Sequence, residues 1–260
     1  KTESGLVPWL STQEARNHAA SQSIPLHAAA PEVVARVHDK AFSQEVARSE
    51  ELIPSELANC ISILTPEDFR DLATALGRFR EVTAAWPDWA RTQFTVKPRF
   101  GSSGRRRLAG RSGEVDKSAL KGALGYLRES GGAILEPWLD RTQDLSAQLY
   151  IHAQGPPLLL GTLEQTVTPS GLYRGHRGWV DARGRVFSGL EADEQVREAA
   201  VLISNAAQQQ GYTGPAGLDA FVFRSPDPTN PETPDVLRPV TEFNARFTMG
   251  IVVLALVRAA

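Results

Sequence analysis

The chain has 260 residues, 42% of them apolar and 22% charged, so it can bury a substantial core and lacks the composition of a disordered or fibrous protein. Its formal net charge of −2 gives no electrostatic footprint for nucleic acid, and any basic site must be local. The single cysteine, Cys60, excludes an intramolecular disulfide framework and a cysteine-based zinc cluster, reads as a core residue, and fits a reducing cytoplasm.

The size suits one large domain or two to three small subdomains around a shared cleft. No apolar run approaches the roughly 20 residues that cross a bilayer; the longest, 250–257, reads as core. The chain starts Lys1-Thr2-Glu3, without a starting methionine or a signal-peptide pattern, which points to residues missing before it. Residues 1–30, rich in Ala, Ser and Gln, read as a poorly specified lead-in. From Pro31 the pattern is helical, with Val33, Val34 and Val37 and later Phe42, Val46 and Leu52. Residues 59–64 read as a short strand. Thr65-Pro66-Glu67-Asp68 opens a helix expected to reach about Gly77.

Residues 94–97 predict a strand ending at Pro98, followed by Gly101-Ser102-Ser103-Gly104 and the basic run 105–107. A helix over 117–129 is stopped by Gly131-Gly132, and 133–136 is a short apolar strand. Strands follow at 145–152, 158–166 and 178–180, and 173–178 reads as a basic, Gly-flanked loop between them. A helix over 195–209 closes at Gly211. Strands at 218–223 and 240–243 flank a proline-rich segment, 224–239, expected to be an exposed loop. No internal repeat is visible, and the alternation suggests α+β with antiparallel sheet.

Glu242 and Asn244 stand two apart in a strand and so share a face, and Arg246 continues that row if the strand extends. With Asp219 upstream, they are the hard oxygen donors that magnesium takes, although such a trio alone is usually a solvated strand face. Lys97 closes a strand just before the Gly/Ser loop, whose N–H groups could cradle phosphate while the lysine pairs with it. Lys40 is a second lysine, in His38-Asp39-Lys40-Ala41-Phe42. Glu136-Pro137-Trp138-Leu139 leaves a strand and Asp144 begins the next, a hinge that could hold adenine through its backbone and ribose through a carboxylate. Arg174, His176 and Arg177 could meet a substrate carboxylate, or His176 could take a proton from an amine. The 105–107 run reads as a phosphate-loop extension or surface charge. Gly-x-Ser-x-Gly, His-Glu-x-x-His and P-loop motifs are missing.

In this order, the Asp-Lys-x-x-Phe element, the strand Lys-Pro with Gly-Ser-Ser-Gly, the Glu-Pro-Trp-Leu hinge and the strands GLDAFVF and TEFNARFTMG resemble the ATP-grasp superfamily, from about Val37 to the C-terminus. The resemblance implies an α+β fold in which two subdomains clamp ATP between antiparallel sheets. Residues 31–93 would form an N-terminal segment with the first ATP lysine, 94–142 the lid subdomain and 143–260 the subdomain with the metal site. Lys40 and Lys97 would contact the ATP phosphates, and Ser102, Ser103 and Gly104 would belong to a closing loop. Glu136 and Leu139 would lie at the adenine, Trp138 would shape its pocket, and Asp144 would hold ribose. Asp219, Glu242 and Asn244 would bind one or two magnesium ions, and Arg246 would stabilise the reacting acyl group.

The activity so implied is a cytoplasmic ligase that uses ATP to turn a small carboxylate into an acyl phosphate and couples it to a small amine, without nucleic acid or membrane partners. Two alternatives are a catalytically silent nucleotide-binding module that regulates or scaffolds a partner, and a kinase- or carboxylase-like enzyme of the same fold. Two departures stand out. Leu218 occupies the place where dipeptide ligases of the superfamily carry arginine, and little more than thirty residues precede the grasp region, where a separate domain is usual.

Overall fold

The computed structural model describes residues 5–101, 106–168, 172–225 and 234–259. The segment expected to be a loose lead-in is structured: Leu6 bridges Leu26, and α1 (Gln13–Ser21) starts where the Thr12 hydroxyl accepts from the Ala15 N–H at 3.2 Å. Two helices follow, α2 (Pro31–Val37) and α3 (Lys40–Ser49). They are separate because Asp39 takes an extended backbone and caps α3 through the Ala41 N–H, 2.8 Å from its carboxylate. β1 (Ser62–Leu64) is shorter than expected.

The helix expected from Pro66 is broken. Pro66–Phe69 is a single 3₁₀ turn, and α4 (Leu72–Ala84) starts afresh because Asp71 is extended and its carboxylate accepts from the Thr74 N–H at 2.8 Å. After α5 (Asp88–Thr92) come β2 (Gln93–Pro98), β3 (Leu108–Arg111) and β4 (Glu114–Val115). The helix α6 (Lys117–Glu129) has the bounds expected, with Leu120, Ala123 and Leu127 as its buried stripe. Then follow β5 (Ala133–Pro137), β6 (Arg141–Ile151) and β7 (Leu158–Val167).

Residues 173–177, expected as a loop, form β8 (Tyr173–Arg177), and the ribbon of β9 (Trp179–Val180) and β10 (Val186–Phe187) follows. The helix α7 (Asp193–Gln209) leads into β11 (Gly214–Phe223), β12 (Val236–Asn244) and α8 (Met249–Ala259). The start of β12 lies inside the segment expected to be an exposed loop. Pro239 is tolerated there because β12 pairs on one side only and bulges between Arg238 and Glu242.

Two antiparallel five-stranded sheets result, β1-β5-β2-β3-β4 and β12-β11-β6-β7-β8. Each has its own apolar core. In the second, Leu145, Ala147 and Leu149 of β6 and Leu218, Ala220 and Val222 of β11 meet the Val196, Ala199 and Ile203 stripe of α7. Phe221 and Phe223 point the other way, into the core of the first sheet. No helix among the described residues is long and apolar enough to cross a membrane.

Candidate functional site

Strand alternation assembles the site. Because Leu145, Ala147, Leu218, Ala220, Phe243 and Ala245 belong to the helix-covered core, the residues between them face the opposite side. Asp144 and Gln148 from β6, Asp219 from β11, and Glu242 and Asn244 at the end of β12 therefore line one cleft of about 250 Å³, with Arg246, two residues past the end of the strand, and Lys40 and Lys97 also on its wall.

Asp219 and Glu242 are direct partners across β11 and β12. Asp219 accepts from Gln165 Nε2 at 2.7 Å and from Asn244 Nδ2 at 2.9 Å, and Asn244 Oδ1 accepts from Arg246 at 2.8 Å. Burial, and after it the facing Glu242 carboxylate, push the Asp219 carboxyl up to about 6. Glu242 goes the other way. Burial works to raise it, but Lys40, whose ammonium lies 3.2 Å away, holds it below the usual carboxylate range. Lys40 also donates to the Gly101 carbonyl at 3.0 Å.

This donor set fits a hard divalent cation. Two carboxylates face each other with an amide side chain beside them, and a cation would relieve both the burial of the Asp219 charge and its repulsion from Glu242, which together raise it. Among the described residues, no three His, Cys, Asp or Glu side chains cluster as a metal site, so the third protein ligand would be the Asn244 amide oxygen, which accepts from Arg246 here and would have to turn towards the cation.

The outer edge of β12 is held by side chains instead of a further strand. Phe243 N donates to Ser43 Oγ at 3.0 Å and Ala245 N to His38 Nδ1 at 3.2 Å, while Gln44 Nε2 donates to the Thr241 carbonyl at 3.2 Å. Backbone groups of alternate residues are thereby satisfied. Burial drives His38 down to about 4, so it is neutral and Nδ1 can accept.

On the other sheet, Glu136 does not project into the cleft. Its carboxylate is bound by the Lys97 ammonium and by Arg238, whose guanidinium lies 2.8 Å away and also reaches Gln44 Oε1 at 3.2 Å. Burial acts to raise Glu136, but Arg238 and Lys97 outweigh it and bring the carboxyl down to about 2. Burial in turn lowers Lys97, against the pull of Glu136. Arg238 is 2% exposed and lies in the segment expected to be an exposed loop.

The hinge residues meet arginines. The Trp138 ring carries the Arg107 guanidinium at 4.0 Å from its centroid, and Arg141 lies 4.2 Å from the Phe221 ring and 2.8 Å from Asp144. A second cavity, of about 830 Å³, shares Trp138, Arg141 and Asp144 with the cleft and adds Leu139 and Trp89. Ser102, Ser103 and Gly104 lie outside the described residues.

The basic segment 174–177 is divided. β8 bulges where its pairing passes from Gly175 to Tyr173, which brings both Tyr173 and His176 to the cleft. Arg174 is exposed, and Arg177 is exposed and bound to Glu164 at 2.5 Å, outside the cleft lining. Burial lowers His176 to about 4, so it stands neutral between Ser146 and Tyr173. The sequence reading passed over Ser146 and Gln148, although Asp144-x-Ser146-x-Gln148 repeats at the strand period.

No family model and no curated protein matches the chain. Solved structures do. The biotin carboxylase–β,γ-ATP complex from Campylobacter jejuni aligns with 97% of this chain and 51% of its own, at a TM-score of 0.59 and 13% identity. The biotin carboxylase domain of 2-oxoglutarate carboxylase from Hydrogenobacter thermophilus, solved with MgADP and bicarbonate, covers 94% and 47%, at 0.59 and 16%. D-alanyl-alanine synthetase A from Vibrio cholerae covers 92% and 65%, at 0.55 and 13%. The chain thus spans about half the length of the first two and two thirds of the third.

Proposed function

We propose that this chain, which has the ATP-grasp fold, binds ATP in the cleft between its two sheets and uses it to activate a small carboxylate for attack by an amine. One observation carries the reading: Lys40, Lys97, Asp219, Glu242, Asn244 and Arg246, drawn from separate elements, converge on one cleft. D-alanyl-alanine synthetase A and D-cycloserine synthetase are among the solved structures that share this fold, which is compatible with a carboxylate–amine ligase, as the biotin carboxylases are with a carboxylase-like enzyme.

A carboxylate is a poor electrophile because its charge repels nucleophiles and oxide is a poor leaving group. Phosphoryl transfer from ATP removes both obstacles, and the protein then supplies positioning and positive charge where oxygens accumulate negative charge. Lys40 and Lys97 would meet the phosphates, and Arg246 the reacting acyl group or the incoming carboxylate. Magnesium, held by Asp219, Glu242 and Asn244, would supply further positive charge at the phosphates. Trp138 and Leu139 would wall the base and Asp144 would meet the ribose. The Arg107 and Arg141 guanidiniums now against these residues would have to yield or stack on the base.

Calorimetric titration of a non-hydrolysable ATP analogue, with and without magnesium, tests the reading on the wild type and Glu242→Gln. Magnesium-dependent binding that the variant loses is expected, followed by ADP formation with a true acid. A well-folded protein that binds no nucleotide under either condition overturns it.

A further inference from the structure

One continuous series of hydrogen bonds links four residues that line the cleft, Thr248, Gln148, His176 and Tyr173. Ile251 N donates to Thr248 Oγ1 at 3.3 Å, and the Thr248 hydroxyl donates to Gln148 Oε1. The other end of that amide, Nε2, donates to Ser146 Oγ at 2.9 Å. Ser146 Oγ lies 3.3 Å from His176 Nε2, and His176 Nδ1 lies 2.8 Å from the Tyr173 hydroxyl. Gln148 and Ser146 are each 1% exposed. Gly250 and Gly217 both lack the Cβ that would collide with Gln148 or Thr248, so the amide is seated between them.

The series has a direction. With the Thr248 hydroxyl donating to Gln148 Oε1, the amide nitrogen of Gln148 faces Ser146. Ser146 accepts from Gln148. In the tautomer with the imidazole proton on Nδ1, Ser146 donates to His176 Nε2 and Nδ1 donates to Tyr173. The hydroxyl hydrogen of Tyr173 is left for a group in the cleft, and links of this kind polarise one another.

The charges lining the cleft point the same way. Of the carboxylates lining the cleft among the described residues, Asp144 is held by Arg141, Asp219 by Gln165 and Asn244, and Glu242 by Lys40. Asp219, the one not paired with a cation, is the carboxylate assigned above to the metal, which leaves none for an ammonium group. Arg246, which donates to Asn244 Oδ1 and the Phe247 carbonyl and keeps further N–H groups, and Tyr173 are the donors facing the cleft.

Resting on the ligase reading above, we propose that the acid substrate is small and carries a hydroxyl or oxo group in place of a free ammonium group, with Tyr173 as the specificity-determining donor to that oxygen. Arg246 meets the reacting carboxylate. His176, Ser146, Gln148 and Thr248 are positioning residues that act through Tyr173.

Hydroxylamine serves as a general acceptor for the test. The acid's carboxylate oxygen bonds to the γ-phosphorus and ADP leaves. Hydroxylamine nitrogen then attacks the acyl carbon, the carbon–oxygen bond to phosphate breaks with its electron pair on phosphate, and the nitrogen loses a proton to solvent, leaving a hydroxamate. Two matched sets are compared with magnesium-ATP: lactate, propionate and alanine; malate, succinate and aspartate. The hydroxy acid should lead each set, with about a tenfold kcat/KM advantage over the deoxy acid.

Tyr173→Phe should bring that ratio close to one while leaving ATP affinity unchanged, and Thr248→Val, at the far end of the series, should shrink it in the same direction. A general loss of structure would lower every acid alike and not move the ratio. Preference for the amino acid in either set, or an intact ratio in Tyr173→Phe, overturns the inference. So does magnesium-dependent ATP binding without hydroxamate from any of the six acids, an outcome that leaves nucleotide binding standing. Absence of ATP binding overturns the ligase reading instead.

Discussion

Glu136 and Asp219 are both strand carboxylates at the junction of the two sheets, and their surroundings drive them in opposite directions. Glu136 is enclosed by two cations and falls to about 2; Asp219 faces another carboxylate and rises to about 6. Burial alone would raise both, so the difference lies in their partners. The comparison separates a carboxylate already neutralised by its own protein from one left in need of positive charge. Glu136 therefore belongs to the framework that holds Lys97 and Arg238, whereas Asp219 has the character of a ligand-binding group.

The largest expected effect breaks the first half of that contrast. Glu136→Gln leaves the Arg238 and Lys97 charges buried without an anion, and removal of one member of a buried ionic group costs about 3–5 kcal/mol. Denaturant unfolding should show that loss. Asp219→Asn should instead leave the protein at least as stable, since it removes repulsion from Glu242, while abolishing magnesium-dependent ATP binding. Comparable destabilisation by the two substitutions would erase the distinction.

The pH dependence of stability comes next in size. Asp219 has its folded value raised from 3.8 to about 6, so the folded state binds this proton more tightly and stability rises as pH falls from above 6 towards 4. Glu136 is lowered from 4.5 to about 2, so its contribution is complete above 4.5 and is lost as pH falls towards 2. The Asp219 arm amounts to about 1–3 kcal/mol. Thermal unfolding without metal should show that rise between pH 7 and 5 in the wild type and not in Asp219→Asn. An identical profile in the variant would mean that another group titrates there.

The same two residues mark how far the sequence could be read. Asp219, Glu242 and Asn244 were legible because two-residue spacing in apolar strands gives their face, and the register then needed only that β11 and β12 be neighbours. Glu136 was assigned to the adenine hinge from its place after a strand, but its side-chain role depends on Arg238, 102 residues away. Nothing local announces that pairing. Arg238-Pro239 follows a proline-rich stretch, and only the bulge on an edge strand lets β12 run through it. His176 was singled out for its chemistry while β8 was read as a loop, because Gly175 and Gly178 suggested turns and the bulge disrupts the period of two. The two helix breaks, at Asp39 and Asp71, come from side-chain caps that compete with helix continuation, a signal present in the residues but weak beside the apolar pattern.

A smaller effect tests the cation side of the framework. Lys97→Met removes one partner of Glu136 but leaves Arg238, so the expected loss is about 1 kcal/mol of stability, well below that of Glu136→Gln. Nucleotide affinity should fall about tenfold if the lysine also meets phosphate, as a lost charge-assisted contact would require. Unchanged ATP affinity in calorimetry would confine Lys97 to the framework with Glu136.

The smallest expected effect turns on where the two carboxylates sit in their sheets. Glu136 lies on β5, with β1 and β2 hydrogen-bonded on either side, whereas Glu242, the partner of Asp219, lies on the edge strand β12. What replaces the missing neighbour is α3, through Ser43 and Gln44, together with His38 just before it. Ser43→Ala should therefore cost about 1 kcal/mol, because the Phe243 N–H loses its acceptor in a buried edge. The cost should also reach the site, since Phe243 stands between Glu242 and Asn244. Magnesium-dependent nucleotide affinity is expected to fall a few-fold in Ser43→Ala. An undiminished affinity alongside the stability loss would show that pairing to β11 alone holds the Glu242–Asn244 row in register.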